Sequence, residues 1–285
     1  MTDATPWPNQ AYLEILRPEP GYTLNGAILT SYSADLASIV AALLALAGFH
    51  RDDSGGRKTD LAEAVEQLHG KVKILIQRGG LARPKRIPTM AGILDQFIRQ
   101  IDFDERKQSW HPKIALLQFT NGESQSDWRL WLGSRNLTAS TNHDFGLSLT
   151  STNDPKVANA APLPGVAELA ARLATEAGLD VFRPAKLKNV AKDIRWTQPD
   201  SMTIERIVLT GGKGTDTGPQ PDGDVDEVIA VSPFLDGTVV KAVGAWGGPK
   251  TTRRLLSTQM ELVKLAKQTA KPLAGFNDNL FVLDT

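Results

Sequence analysis

Apolar residues along the first half of the chain follow two alternating patterns, and the order of these patterns predicts a layered fold. Short runs that are apolar throughout have the length of strands, whereas the segments between them carry apolar residues at helical spacing. The predicted strands are 27–32, 72–76, 110–117, 128–132 and 147–150. The predicted helices are 35–47, capped by Ser33, 60–68 and 91–100. This alternation predicts an α/β fold in which helices flank a mixed β-sheet.

The second half of the chain begins with a connector and then repeats the opening pattern. Residues 153–225 contain a helical pattern and end in a run rich in Gly, Asp and Pro at 209–225, which predicts an exposed, mobile loop. Residues 229–236 align with residues 28–35 without a gap, Ser on Ser and Asp on Asp. We therefore predict a first lobe at 1–152, a connector at 153–225 and the beginning of a second, incomplete lobe at 226–285.

The composition excludes several kinds of site. The 285 residues include 32 Lys and Arg and 32 Asp and Glu, so binding to nucleic acid or to an anionic membrane requires a local patch. The absence of cysteine excludes disulfides and thiolate zinc sites. The N-terminal residues lack the basic and apolar regions of a signal peptide, and the most apolar stretch, 36–49, is too short to span a bilayer. These features predict a cytoplasmic protein.

Two pairs of polar residues stand at the ends of predicted strands. His111 and Lys113 open the third strand, and Ser134 and Asn136 follow the fourth. Because side chains on a strand alternate between its faces, each pair shares a face. On adjacent strands the two pairs would gather around one point. There the imidazole could attack phosphorus or transfer a proton, and the other three groups could hold the non-bridging oxygens. Such a phosphate site needs no metal and no cofactor.

The motif H-x-K at 111–113, followed by G-S-x-N at 133–136, resembles the phospholipase D superfamily, whose nucleases include the tyrosyl-DNA phosphodiesterases. Many members carry an Asp five residues after the Lys. Gln118 stands there in this chain, as in the tyrosyl-DNA phosphodiesterase-like branch, which lacks that Asp. By contrast, the H-x-K at 69–71 ends a helical pattern and has no G-S-x-N after it, so we interpret it as a helix terminus.

The resemblance implies a phospholipase D-like lobe with a metal-independent phosphodiesterase activity. In many members the first-lobe histidine is the nucleophile and forms a phosphohistidine, which assigns that role to His111. Members of the family are built from two lobes that each donate one His-Lys set, and the second set is absent from this chain. Either a C-terminal part or another chain supplies it, or two copies complete the site across a two-fold axis.

The resemblance also suggests a residue that orients the imidazole. An Asn-x-Glu commonly follows the G-S-x-N of the family, and Asn142 and Asp144 occupy a similar place, with Asp instead of Glu. A carboxylate that is bonded to one ring nitrogen fixes the tautomer and raises the basicity of the other nitrogen. The alternative interpretation is a polar turn that Asn and Asp cap.

Basic and aromatic residues near the motif favour nucleic acid as the substrate, with DNA and RNA both open. Arginines contact backbone phosphates, and an exposed Trp110 beside His111 could stack on a base. The candidate binding residues are Arg78, Arg83, Lys85, Arg86, Trp110 and Arg135. The alternatives are a solvated basic loop and a core tryptophan. The rival functions are phospholipid hydrolysis, although no membrane-binding stretch stands out, and an inactive nucleic-acid-binding or scaffold subunit of a larger assembly.

Overall fold

The first apolar run of the chain lies inside a six-stranded sheet in the computed structural model. The strands are β1 (Thr23–Ser31), β2 (Val72–Gln77), β3 (Ile98–Ile101), β4 (Ile114–Thr120), β5 (Ser126–Gly133) and β6 (Gly146–Thr150). Their order across the sheet is β3-β2-β1-β4-β5-β6. β1 runs parallel to β2 and antiparallel to β4. The prediction of a mixed sheet flanked by helices is therefore confirmed.

The structure describes residues 11–49, 58–82, 91–103, 110–122, 125–140, 144–200, 202–209, 220–221 and 223–282. The chain divides into two units, Met1–Ile207 and Val208–Thr285. The segment predicted as a connector is thus shared between them, and most of the predicted mobile loop at 209–225 lies outside the described residues. The division into two lobes and a connector stays a prediction.

The helices of the first unit begin with α1 (Tyr12–Ile15), α2 (Leu36–Leu46), α3 (Lys58–Leu68) and α4 (Ala91–Leu94). Ser33 does not cap α2. Asp35 does, because its side chain accepts a hydrogen bond from Ser38 N at 2.8 Å. α2 and α3 cover one face of the sheet, where strand residues share one core with helix residues. This core includes Leu29, Ile74, Leu117, Leu43, Leu46 and Leu68.

The helix predicted at 91–100 is wrong. α4 is a single turn, and Ile98–Ile101 forms strand β3, which pairs in parallel with β2. Leu94 and Phe97 are both buried, so the apolar spacing that suggested a helix is satisfied by a short helix followed by a strand. Because a strand at this place adds a ladder of hydrogen bonds to β2, sheet pairing outweighs the helical pattern.

The other face of the first sheet is covered by later elements. These are β7 (Ala160–Pro162), α5 (Val166–Ala177), a 3-10 turn at Asp180–Phe182, α6 (Pro184–Asp193) and β8 (Arg195–Thr197). α5 contacts β1 and β2, and the ring of Phe182 stacks on Trp128 with centroids 5.8 Å apart. Gly26 on β1 gives Phe182 its room, since a Cβ at Gly26 would lie 2.6 Å from the ring.

The second unit contains a smaller parallel sheet. Its elements are β9 (Glu227–Val231), α7 (Gly237–Val243), β10 (Thr252–Ser257), α8 (Gln259–Ala266), a 3-10 turn at Ala274–Phe276 and β11 (Leu280–Val282). The order β11-β10-β9 reproduces the order β3-β2-β1 of the first unit. The strand order of the second unit thus agrees with the sequence repeat between residues 28–35 and 229–236. None of the helices in the described part of the chain combines the length and apolar character that crossing a bilayer requires.

One backbone junction joins three loops at the end of the first sheet. Ala34, which is fully buried, forms bridges with Leu81 and with Leu137. Its N–H donates to the carbonyl of Gly80 at 2.9 Å, and its carbonyl accepts from Ala82 N at 2.8 Å. The loops after β1, β2 and β5 are therefore held together by main-chain hydrogen bonds, which fixes this end of the sheet.

We expect Gly80→Ala to weaken this junction. A Cβ at position 80 would lie 2.1 Å from the carbonyl oxygen of Tyr32, so the backbone must move, at a cost of about 1–3 kcal/mol. The free energy of unfolding, measured with urea, should fall by this amount. Gly92→Ala is the matched control, because nothing lies within 4 Å of its added Cβ. Equal unfolding free energies for the two variants would contradict the close approach at Gly80.

Candidate functional site

The segments that carry the predicted motif residues lie side by side at one end of the first sheet, where Gly133 N donates to the carbonyl of Lys113 at 3.1 Å. β4 is antiparallel to β1 and to β5, so its amino end lies beside the carboxyl ends of both strands. Ile114 pairs with Leu132, which brings the residues just before β4 next to those just after β5. The predicted adjacency of the two motif strands is therefore confirmed.

His111 and Lys113 precede β4 and are not part of it. The strand predicted from Trp110 begins only at Ile114, yet the two side chains lie together. Lys113 Nζ is 2.9 Å from Nδ1 and 3.1 Å from Nε2 of His111. Lys113 is buried and His111 is exposed, so the ammonium lies beneath an imidazole that solvent can reach.

Burial and mutual repulsion set the charges of this pair. Burial lowers the pKa of Lys113 to about 8, against which the Asp144 carboxylate acts to raise it. Burial also lowers the pKa of His111, and the positive charge of Lys113 adds to this effect. At neutral pH the imidazole is therefore unprotonated beside an ammonium that is mostly still charged. An unprotonated ring nitrogen is what nucleophilic attack by histidine requires.

Tyr32 belongs to the same cluster and was missed from the sequence. It follows β1 directly, and its ring centroid lies 4.6 Å from that of His111. Lys113 Nζ lies 5.9 Å from the centroid of the Tyr32 ring, within reach of a cation–π attraction. Its position just beyond the carboxyl end of a parallel strand, where ligand sites of α/β sheets gather, is the signal that could have revealed it.

Ser134 and Asn136 lie on the loop after β5. Ser134 Oγ donates to Asp144 Oδ1 at 2.9 Å and accepts from Phe145 N at 3.0 Å. Asn136 Oδ1 accepts from Ser33 N at 3.4 Å and lies 3.3 Å from Ser31 Oγ. These contacts use the amide oxygen of Asn136. No described residue is hydrogen-bonded to its amide nitrogen, which is a donor suited to a phosphoryl oxygen.

Asp144 takes a different place from the predicted one. It was expected to orient the imidazole of His111, but in the structure its two oxygens accept from Ser134 and from Arg135 Nη1, the latter at 2.9 Å. Its effect on the cluster is the longer-range charge that raises the pKa of Lys113. The other predicted orienting residue, Asn142, lies outside the described residues.

The structure places the candidate nucleic-acid-binding residues in different environments. Arg78 follows β2 and is exposed, but it is paired with Asp102, whose Oδ2 accepts from Nη2 at 2.9 Å. Trp110 is only 5% exposed, so its predicted exposure is wrong. A large apolar ring gains more from burial than from stacking on an occasional ligand. Arg135 is paired with Asp144. Arg83, Lys85 and Arg86 lie outside the described residues.

Two solved structures resemble the chain remotely. One is polyphosphate kinase from Porphyromonas gingivalis, with 13% identity and a TM-score of 0.36, covering 95% of this chain and 38% of the kinase. The other is a mutant of yeast tyrosyl-DNA phosphodiesterase, with 12% identity and a TM-score of 0.39, covering 94% of this chain and 64% of that one. Both are phospholipase D superfamily structures.

The chain spans less than two thirds of either of these proteins. No protein-family model and no curated protein matches it. At this distance the two structural matches assign no activity, substrate or partner.

We expect the pKa of His111 to rise in Lys113→Met, since the variant removes a neighbouring positive charge and keeps an apolar side chain of similar length. The pKa should stay below the ordinary value, because burial is the larger cause of its decrease. An NMR titration of the imidazole Cε1 proton measures both values. Lys156→Met, an exposed lysine elsewhere, serves as the control. A His111 pKa that Lys113→Met leaves unchanged or lowers would contradict the electrostatic coupling.

Proposed function

We propose that this chain carries one half of the active site of a metal-independent phosphodiesterase that acts as a nuclease, with His111 as the nucleophile. The observation that carries the proposal is the contact between the exposed imidazole of His111 and the buried Nζ of Lys113, 2.9 Å from Nδ1. Burial lowers the pKa of both groups, which favours the unprotonated imidazole. This contact lies at the sheet edge that also carries Ser134 and Asn136. A nucleophile and donors for an anion are thereby held on the ends of rigid strands.

The proposed reaction proceeds in two displacements. A ring nitrogen of His111 attacks phosphorus, the bond to the leaving oxygen breaks, and a second histidine protonates that oxygen. Water, deprotonated by the second histidine, then attacks the phosphohistidine and restores the free imidazole. Lys113 and the donors of Ser134 and Asn136 hold the non-bridging oxygens as their charge changes. A C-terminal part or another chain, or else a second copy, supplies the second His-Lys set.

The charge balance at Lys113 supports an anionic substrate. Its pKa of about 8 reflects burial that the distant Asp144 only partly offsets. A phosphoryl oxygen beside Nζ would supply the missing counter-charge and would stabilise the ammonium. Arg78, exposed just beyond β2, could contact a neighbouring phosphate of a polynucleotide after release from Asp102. The buried Trp110 gives no support to base stacking.

One observation favours the rival function of an inactive nucleic-acid-binding or scaffold subunit. The carboxylate of Asp144 already accepts hydrogen bonds from Ser134 Oγ, a proposed phosphate donor, and from Arg135 Nη1, a candidate nucleic-acid contact. A substrate must displace this anion before Ser134 can act. Binding of nucleic acid without turnover, in a preparation that retains every copurifying chain, would identify the scaffold function.

Replacement of the nucleophile gives the main test. In an active preparation, His111→Ala should lose activity by on the order of 10³-fold or more, and Lys113→Met by on the order of a hundredfold. His69→Ala is the matched control, because it changes the other H-x-K, at a helix end. Assays with labelled single-stranded DNA, duplex DNA, RNA and phosphatidylcholine vesicles, all in chelator, identify the substrate. Acid-labile phosphate on His111 after quenching would support the covalent step. Substantial activity in His111→Ala would contradict it.

The pH profile tests the charge states. We expect kcat/KM to fall on the acid side, as His111 becomes protonated. It should fall on the alkaline side as the second histidine and, above about pH 8, Lys113 lose their protons. Lys113→Arg should shift the alkaline limb upward, since a guanidinium stays charged over this range. An alkaline limb that Lys113→Arg leaves in place would assign it to another group.

A further inference from the structure

The imidazole of His111 has no carboxylate to orient it among the residues that the structure describes. Asp144, which the motif suggested for this role, is hydrogen-bonded to Ser134 and Arg135 instead. Of the described residues, only Lys113 comes within hydrogen-bond distance of the ring nitrogens, with Nζ at 2.9 and 3.1 Å. The two distances are nearly equal, and an ammonium cannot accept the proton of an N–H group. This contact therefore does not fix the ring as a carboxylate would.

The ring of Tyr32 lies against the imidazole. The Tyr32 and His111 rings have centroids 4.6 Å apart and planes inclined by 50°. Lys113 Nζ lies 5.9 Å from the centroid of the Tyr32 ring, a distance at which the negative face of an aromatic ring attracts a cation. Tyr32 is therefore in contact with both members of the His-Lys pair.

The main chain is fixed on both sides of Tyr32. Ser31, which precedes it, is the last residue of β1 and pairs with Ile76 of β2. Ala34, two residues after it, is buried, and its N–H donates to the carbonyl of Gly80. The carbonyl of Tyr32 itself packs against Gly80. The Tyr32 side chain thus projects from a rigid part of the fold, as precise positioning of a neighbouring group requires.

The pairing of β1 with β4 explains why Tyr32 meets the motif. Thr30 pairs with Ile114, and its Oγ1 accepts a hydrogen bond from Ile114 N at 2.9 Å. Continued by two residues, this antiparallel register brings Tyr32 level with Pro112, in the middle of the H-x-K motif. The contact between Tyr32 and the motif is therefore set by the same strand pairing that builds the sheet.

The surroundings of Tyr32 differ from those of the tyrosine at the opposite end of β1. Tyr22 directly precedes the strand and packs against the core that α2 and α3 cover. Tyr32 directly follows the strand, is half-buried and does not belong to that core. No described residue is hydrogen-bonded to its hydroxyl. Its aromatic contacts are with His111 and Lys113.

We propose that Tyr32 is the positioning residue of His111. Its ring limits the rotation of the imidazole, so that a ring nitrogen faces the phosphorus of a bound phosphodiester. The same ring keeps Nζ of Lys113 beside the imidazole. The ring performs this role and the hydroxyl does not, because both contacts are made by the ring. This inference rests on the proposed role of His111 as nucleophile.

The kinetic test compares three variants of the full chain in the active preparation. Tyr32→Leu should lower kcat by about ten- to a hundredfold, since a small displacement of a reacting group costs on this order. Its KM should stay within about twofold, because substrate binding does not depend on the direction of the imidazole. Tyr32→Phe retains the ring and should keep kcat within about threefold of the native value. Tyr22→Leu is the matched control, since it removes an aromatic ring at the other end of β1 and should leave kcat unchanged.

NMR spectra of the same variants test the contact without any assay of activity. In the native chain and in Tyr32→Phe, nuclear Overhauser effects should connect the ring of residue 32 with the imidazole protons of His111. The ring of residue 32 should also contribute a ring-current shift to the Cε1 proton of His111. Tyr32→Leu should lose this shift, whereas Tyr22→Leu should retain it.

Three results would overturn the proposal. Equal losses of kcat in Tyr32→Phe and Tyr32→Leu would assign the effect to the hydroxyl. Equal losses in Tyr32→Leu and Tyr22→Leu would assign it to general destabilisation of the fold. An imidazole resonance that Tyr32→Leu leaves unchanged would show that the ring does not constrain His111. Absence of activity in the native chain would count against the proposed function alone, because the NMR comparison still decides whether Tyr32 positions the imidazole.

Discussion

The candidate site depends on one buried hydroxyl. Ser31, which is 0% exposed, accepts from Leu137 N and donates to the carbonyl of Ser33. A buried polar group without a hydrogen bond costs about 1–3 kcal/mol. The hydroxyl of Ser31 and the amide of Leu137 satisfy each other, which couples the end of β1 to the loop after β5. Asp35 reinforces the joint by accepting from Ala139 N. Ser134 and Asn136 thereby lie on a loop that continues from β5 and is hydrogen-bonded to Ser31 and Asp35 through Leu137 and Ala139, beside the start of β4.

The chemistry of the site follows from a cation that is buried without an ion pair. No salt bridge of the described residues includes Lys113, and the Tyr32 ring and the His111 imidazole are weak substitutes for a carboxylate. Burial therefore lowers the pKa of Lys113. Burial also lowers the pKa of His111, and the positive charge of Lys113 adds to this effect. The same desolvation thus keeps the imidazole unprotonated and leaves the ammonium in need of an anion.

The sequence predicts the parts of the site that depend on strand order. It does not predict which side chains form hydrogen bonds and ion pairs with one another. Adjacent strands follow from apolar runs and turn residues, so the adjacency of the segments that carry His111 and Ser134 could be predicted. The partner of Asp144 could not, because Arg135 competes for it at a distance that only the folded loop sets. The apolar pattern of residues 94–101 fits two structures equally well, a continuous helix or a turn followed by a strand. The hydrogen-bonded pairing of β3 with β2 decides for the strand.

The repeated serine and aspartate show how a weak sequence repeat gains physical meaning. A helix cap alone accepts Ser, Thr, Asn or Asp, so capping does not require Asp at both 35 and 236. In the first unit Ser31 and Asp35 also accept hydrogen bonds from main-chain amides of the loop after β5. A buried hydroxyl and a carboxylate oxygen that the helix cap does not use are suited to this role. The second unit retains both groups in the same local geometry, with its strand edge open. In the first unit, the repeated serine and aspartate therefore do more than a helix cap requires, because they also bind the loop after β5.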